Sequence, residues 1–306
     1  MAPLSQASAQ AIARMRAYVA PPTAYSSLPL SRRAAVLILL FADRRGDLRV
    51  VLTMRASTLN SYPGQAALPG GKADFLAETP FQTARREAFE EIGLPNDDSK
   101  VAPPFRVEHI CQLPLNLAKN ELGVRPCVAF LHSGEDADNS HVDVEKSLMP
   151  RLDAKEVAAV FTAPFHNFLM LKDELPDGET QGDDNERTEW YQGQWMDWHE
   201  TKWRMHDFYV PIAGQTVTKP KNKSTDQGAV ADQLEKLKRY RVFGMTARIL
   251  VDAARLAYNQ EPEFEYNSHW GDEDVIRRLL KMGRLSPIRK PGDELAKGDM
   301  LKASKI

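Results

Sequence analysis

Three glutamates, Glu87, Glu90 and Glu91, follow Arg86 inside the stretch GGKADFLAETPFQTARREAFEEIGLP, residues 70–95. On a helix, residues three and four apart carry Cβ atoms about 5–6 Å apart, and like charges at that spacing repel. The three also lie toward the helix C-terminus, where the macrodipole disfavours anions. A bound cation would relieve both conflicts. Oxygen ligands with no His or Cys nearby suit a hard ion, Mg²⁺ or Mn²⁺, and Arg86 can hold one carboxylate in its ligating rotamer. A bare ExxEE more often marks a solvated acidic surface. Here the Gly70-Gly71 loop before it and the punctuation around it make the metal reading more specific.

That punctuation sets the helix that must carry the carboxylates. Thr79 can cap it, Pro80 suits its first position, and Gln82 completes a Thr-x-x-Gln capping box. Gly93 supplies a left-handed stop. Between those limits, at 100° per residue, Phe81, Ala84, Ala88 and Ile92 share one face. Glu87, Glu90 and Glu91 share another, roughly 120° away. The apolar stripe is expected to bury and the carboxylates to emerge together at its edge.

The rest of the chain must supply a scaffold. Its 306 residues, with 27% charged and a formal net charge of -2, have globular composition, and a chain this long can bury a full core without disulfides. The balanced charge argues against a nucleic-acid polymer as partner. Only Cys111 and Cys127 are present, without CxxC spacing, which fits a reducing compartment and not a zinc site or disulfide framework. The most apolar run, Ala34–Ala42, falls well short of the roughly 20 residues a spanning helix needs, so no membrane span is expected.

Along the chain, QASAQAIARMRAYV reads as a short helix stopped by Pro21-Pro22. Residues 33–55 read as two strands joined at Arg45-Gly46-Asp47. A glycine-rich loop, 64–71, leads into the capped helix. FRVEHICQL, VRPCVAFLH and EVAAVFTAPF read as further strands, and residues 190–209, with four tryptophans, as a hairpin whose aromatics form its own core. Val242–Tyr258 has apolar residues at helical spacing and reads as a core-facing helix. A short helix is expected at Asp274–Met282. His199 and His206 read as structural or exposed, and the two cysteines as buried small apolar residues.

The run Gly71…Glu78…Arg86-Glu87-Ala88-Phe89-Glu90-Glu91-Ile92-Gly93-Leu94 resembles the Nudix box. Six residues separate Gly71 from Glu78, where the family pattern has five. The resemblance implies the Nudix fold, an α/β/α sandwich around a mixed β-sheet, with an insert and polar terminal extensions. The expected layout is an N-terminal helix and linker over 1–30 and a Nudix domain over 31–260. That domain would carry an acidic, aromatic insert at about 171–210 and a flexible loop at about 214–233, and an extension would follow over 261–306. The resemblance also implies metal-assisted diphosphate chemistry. Glu87, Glu90, Glu91 and the Gly71 carbonyl would be ligands, and Arg86 would join the catalytic group.

Upstream of the box, LTMRASTLNSYPGQAALPGG, residues 52–71, resembles the extra motif of coenzyme A diphosphatases. Leu52, Thr53, Arg55, Leu59, Gly64, Pro69, Gly70 and Gly71 match. Ala56, Asn60 and Leu68 stand where that motif has serine, arginine and phenylalanine. GVRPCVAFLH and FGMTARIL also resemble this family, in its fungal peroxisomal branch. The implied reaction is hydrolysis of coenzyme A or its derivatives to 4′-phosphopantetheine and adenosine 3′,5′-bisphosphate, with Arg55, Lys72 and Gly70 as substrate contacts. The rival substrates are 8-oxo-dGTP, ADP-ribose and NADH. The rival class is a Nudix-fold binding module without catalysis, against which stand the intact glutamates. Ser304-Lys305-Ile306 is one aliphatic residue from the SKL address read by the peroxisomal import receptor, so a peroxisomal location is expected. The acid-free, arginine-bearing first 42 residues are the counter-argument for mitochondria, and the cytoplasm is the remaining alternative.

Overall fold

The computed structural model describes residues 3–55, 65–101, 105–133, 157–173, 190–198, 201–213, 215, 217, 237–288 and 295–305. Its centre is strand β1 (Arg33–Ala42), an apolar run buried on both faces, as a strand covered on both sides must be. On one edge it runs parallel to β7 (Gly123–Ser133), from Arg33↔Gly123 to Phe41↔Leu131. Its other edge is divided. β2 (Leu48–Arg55) pairs antiparallel with Leu40–Ala42, and β4 (Gly70–Lys72) pairs antiparallel with Ala34–Val36. β2 also carries β3 (Ala66–Ala67) and β8 (Val157–Pro164), while β7 carries β5 (Phe105–Gln112) and β6 (Asn116–Leu117). The glycine-rich approach to the carboxylates is thereby stitched into the central sheet.

Alternate residues of β1 face two different cores. Ala35, Leu37, Leu39 and Phe41 pack with Ala84, Ala88 and Ile92 of helix α2 (Pro80–Ile92). Ile38 and Leu40 join the other core. That side is covered by α1 (Gln6–Ala17), by α3 (Gly244–Tyr258) and by a second antiparallel sheet of β9 (Tyr191–Trp198), β10 (Thr201–Pro211) and β11 (Arg239–Phe243). The architecture is the α/β/α sandwich around a mixed sheet expected from the sequence. The cap and stop of α2 form as read: Thr79 and Gln82 exchange both capping bonds, and Gly93 adopts φ 70°.

A third cluster lies at the end of the sheet. Ala24, Tyr25 and Leu28 pack there with Leu115 and Leu117, with Ile276 and Leu279 of α4 (Glu273–Lys281), and with Met300 and Ala303 of α5 (Lys297–Lys305). Two adjacent buried carboxylates knot these pieces together. Asp272 accepts from Arg248 (2.9 and 3.1 Å) and from the Leu117 N–H (2.8 Å). Glu273 accepts from Arg125 (2.8 Å) and from the N–H groups of Leu115 (3.1 Å) and Ala24 (2.8 Å).

Helix α5 goes beyond the sequence reading, because only Met300 and Ala303 mark its inner face and nine residues give too little periodicity to see. The four tryptophans also divide. Trp190 is buried among Phe168 and Phe208, Trp195 is exposed, and Trp203 lies under the Arg248 guanidinium at 4.1 Å. His206 is buried and meets the Tyr191 hydroxyl, and both cysteines are free and buried. Several sequence readings lie outside the described residues: most of the 214–233 loop, the acidic run 174–189, Gly64, His199, Ile306 and the side chains of Arg55 and Trp198.

Candidate active site

The site begins where β4 meets β1. The Leu37 N–H donates to the Pro69 carbonyl (2.8 Å) and the Ala73 N–H to the Arg33 carbonyl (3.1 Å), which fixes residues 69–73 against the sheet. A Cβ on Gly70 would overlap the backbone of Ala35 and Val36. A Cβ on Gly71 would overlap the Glu87 carboxylate, which therefore lies directly on the Gly71 backbone. The Gly70 N–H donates to Glu91 Oε2 (3.2 Å). Two helix carboxylates thus bracket the Gly70–Gly71 peptide; a side chain at Gly71 would displace Glu87, and one at Gly70 would collide with β1.

Arg86 organises the remaining groups. Its Nε meets Glu78 Oε1 at 2.9 Å, its Nη1 meets Glu87 Oε1 at 3.0 Å and Glu90 Oε2 at 3.4 Å, and its Nη2 donates to the Lys72 carbonyl at 2.7 Å. Asp74 stands 3.3 Å from the same Nε. Burial lowers the pKa of Arg86, but the hydrogen bonds and charges of Glu78 and Glu87 outweigh it, and the net shift is upward. Glu78 is the converse case. Burial raises its pKa, yet hydrogen bonds from Arg86 and the Asp74 N–H hold it below the ordinary carboxylate value. Residues 75–78 form a turn closed by Glu78 N–H to Phe75 O (3.0 Å), and Glu78 reaches Arg86 across the six-residue spacing.

The three glutamates do not emerge equally. Glu91 is buried, whereas Glu90 keeps 44% of its side chain exposed. A helical wheel places them together because it carries no information about the Gly70 N–H opposite Glu91. Lys72 is exposed beside them. Among the described residues, no group of three or more His, Cys, Asp or Glu side chains is gathered around one metal position; the carboxylates are arranged around Arg86 and the Gly70–Gly71 peptide instead. Their donor chemistry nonetheless fits a hard divalent cation. All donors are oxygen, the negative charge exceeds that of the one guanidinium, and the Gly71 backbone touches Glu87 with no side chain between. Asp74 is the neighbour that sequence reasoning missed, because no motif position marks it.

The NUDIX domain family model matches residues 31–116, which span β1, the glycine loop, α2 and β5. A relative covering far more of the chain decides membership: yeast (Saccharomyces cerevisiae) peroxisomal coenzyme A diphosphatase 1 is 30% identical over 88% of this chain and 82% of its own length. The chain belongs to the Nudix hydrolases. It is an enzyme of that family's diphosphatase type. Nudix hydrolase 22, chloroplastic, of Arabidopsis thaliana is 34% identical over 88% of this Nudix chain and 70% of its own. The mouse (Mus musculus) peroxisomal coenzyme A diphosphatase NUDT7 is 33% identical over 48% and 52%. No helix among the described residues of the enzyme is long and apolar enough to cross a membrane.

Proposed function

We propose that this Nudix hydrolase cleaves the diphosphate of coenzyme A or a derivative, releasing 4′-phosphopantetheine and adenosine 3′,5′-bisphosphate. The observation that carries the substrate is the match to the yeast coenzyme A diphosphatase over most of both chains. The upstream motif supports it, with Leu52, Thr53, Arg55, Pro69, Gly70 and Gly71 at the matching positions. In this reading Glu87, Glu90, Glu91 and the Gly71 carbonyl hold Mg²⁺ or Mn²⁺. A cation bound there would neutralise diphosphate oxygens and make a water molecule more acidic. The chain's own task is orientation. Arg86 restrains Glu87 and Glu90, the Gly70 N–H restrains Glu91, and a carboxylate of the group takes the proton from the attacking water. Lys72 and Arg55 offset charge on the phosphoryl oxygens.

The departures at Ala56, Asn60 and Leu68 favour a second reading, in which ADP-ribose, NADH or 8-oxo-dGTP is the substrate. A competition assay separates the two. All these compounds and coenzyme A are offered in equal amounts with Mg²⁺ or Mn²⁺, and products are followed by mass spectrometry. Preferential release of 4′-phosphopantetheine supports the proposal, and preferential cleavage of a nucleotide sinks the coenzyme A reading. The peroxisomal names of the yeast and mouse relatives support a peroxisomal location. Imaging of the tagged protein against a peroxisomal marker tests it, and a plastid or mitochondrial pattern overturns it.

A further inference from the structure

The loop that brings Glu78 to Arg86 is gripped from both sides. From the helix, Arg86 takes the Lys72 carbonyl and the Glu78 carboxylate. From the opposite side comes Arg33, the first residue of β1, which is buried. Its guanidinium donates to three backbone carbonyls: Leu28 (2.8 Å), Leu76 (3.1 Å) and Ser26 (2.7 Å). Its own carbonyl accepts from the Ala73 N–H. Arg33 therefore ties the linker before β1 to both ends of the 73–76 segment.

Beneath it lies Tyr25, buried, with the Arg33 guanidinium 5.6 Å above its ring. The Tyr25 hydroxyl points toward Thr83 of α2, and Thr83 in turn lies beside Glu78. Neither the Tyr25 nor the Thr83 hydroxyl closes a regular hydrogen bond, although both are buried. Burying a guanidinium is costly unless its N–H groups find acceptors, and the three carbonyls that Arg33 holds are those acceptors. What these contacts impose is the position of the 73–78 loop relative to α2.

We propose that Arg33, supported by Tyr25, is a positioning residue for the carboxylate site. It acts through a chain of contacts from the Leu76 carbonyl to Glu78, from Glu78 to Arg86, and from Arg86 to Glu87 and Glu90. This inference rests on the reading of those glutamates as cation ligands. Removing partners that orient ligands typically weakens metal affinity by about 10–100-fold.

The test is Mn²⁺ binding by the full chain, followed by electron paramagnetic resonance of the free ion, with steady-state kinetics on coenzyme A alongside. For Arg33→Gln the expected result is a rise of about tenfold or more in the Mn²⁺ Kd. At saturating Mn²⁺, kcat falls while KM changes less than twofold. Arg33→Lys keeps the charge, but one ammonium cannot span three carbonyls, so about a threefold weakening is still expected. Arg45→Gln, on the exposed β1–β2 turn, serves as the control and keeps wild-type values. A merely structural Arg33 would lower the melting temperature and leave the Mn²⁺ Kd of the folded variant unchanged, which overturns the proposal. If Arg33→Gln does not fold, an unchanged Kd in Arg33→Lys overturns it equally. A wild-type chain that neither binds Mn²⁺ nor cleaves any offered diphosphate would instead sink the underlying functional reading.

Discussion

The carboxylates of α2 and those at the head of α4 are both held by arginine, but the two groups balance their charge differently. In the α4 knot the pairing is one for one, Asp272 with Arg248 and Glu273 with Arg125, and Asp252 of α3, the same helix as Arg248, stands 3.6 Å from Arg255. Around Arg86, four carboxylates lie within 3.4 Å of a single guanidinium, namely Asp74, Glu78, Glu87 and Glu90. Glu91 adds a further buried negative charge beside Gly70. A balanced buried cluster specifies how pieces of the fold dock. A cluster with excess negative charge is poised for a cation. The knot is built for structure and the α2 site, in the proposed reading, for holding a cation, and perturbing each should affect different observables.

The knot should fail first and by the largest amount. Asp272→Ala strands the Arg248 guanidinium and the Leu117 N–H without their acceptor, in a place where Arg248 is almost wholly buried. Breaking a buried pair from one side costs about 3–5 kcal/mol, and urea denaturation should register a loss of that size. Replacing both partners, Arg248→Met with Asp272→Leu, should recover much of it. If the single variant is as stable as wild type, the knot is not a structural device.

Glu90→Gln is the opposite case. Its side chain is 44% exposed, so unfolding should shift by less than about 0.5 kcal/mol. Turnover should nevertheless fall by about 10²–10³-fold, roughly 3–4 kcal/mol of transition-state stabilisation. A variant that loses stability but keeps turnover would reverse the contrast between the two regions.

Titration separates Asp272 of the knot from its α3 neighbour Asp252. Burial pushes the Asp252 carboxyl up to about 6 from 3.8, against the pull of Arg248 and Arg255. Asp272 is also pushed up by burial, but Arg248, His269 and the Leu117 N–H bring it down to about 2. A raised folded pKa means that the native state keeps a proton which the unfolded chain releases. The Asp252 contribution therefore falls as pH rises from about 4 to about 6 and is level above that. Asp272 behaves in the reverse sense, with its contribution lost as pH drops below about 4 toward about 2. Between pH 4 and pH 7, wild type should lose stability relative to Asp252→Asn by an amount on the order of 2 kcal/mol, measured by urea midpoints at each pH. A pH-independent difference would mean that Asp252 is ionised throughout.

The same contrast explains what was legible in the sequence. The α2 site is written locally. Its cap, its stop and its glutamates fall inside 15 residues, Thr79 to Gly93, and the capping box and left-handed glycine appear as the residue types demand. The knot joins residues between 24 and 249 apart in sequence, so no window reveals that Glu273 meets Arg125, Leu115 and Ala24, or that Asp272 meets Leu117. Glu91 shows the limit within the site itself. Its type and position were readable, but its burial depends on the Gly70 N–H, brought opposite by the pairing of β4 with β1. Arg33 was invisible for the same reason, since its partners are carbonyls that any residue could supply.

The smallest expected effect isolates the locally written part. Thr79 accepts from the Gln82 N–H at 3.2 Å, and Gln82 answers to the Thr79 N–H at 2.9 Å. Thr79→Ala removes one half of that exchange at an exposed position and should destabilise the chain by about 1 kcal/mol. The glutamates stand two and three turns further on, at the end fixed by Gly93 and by Arg86. The Mn²⁺ Kd of the folded variant should therefore stay within a factor of two of wild type. If it shifts as far as in Arg33→Gln, the start of α2 and the 73–78 loop move as one body. Arg33 would then act by anchoring the whole helix and not by placing Glu78 against Arg86. A stability loss with an unchanged Kd would confine the cap to folding and leave the orientation of the carboxylates to the long-range contacts.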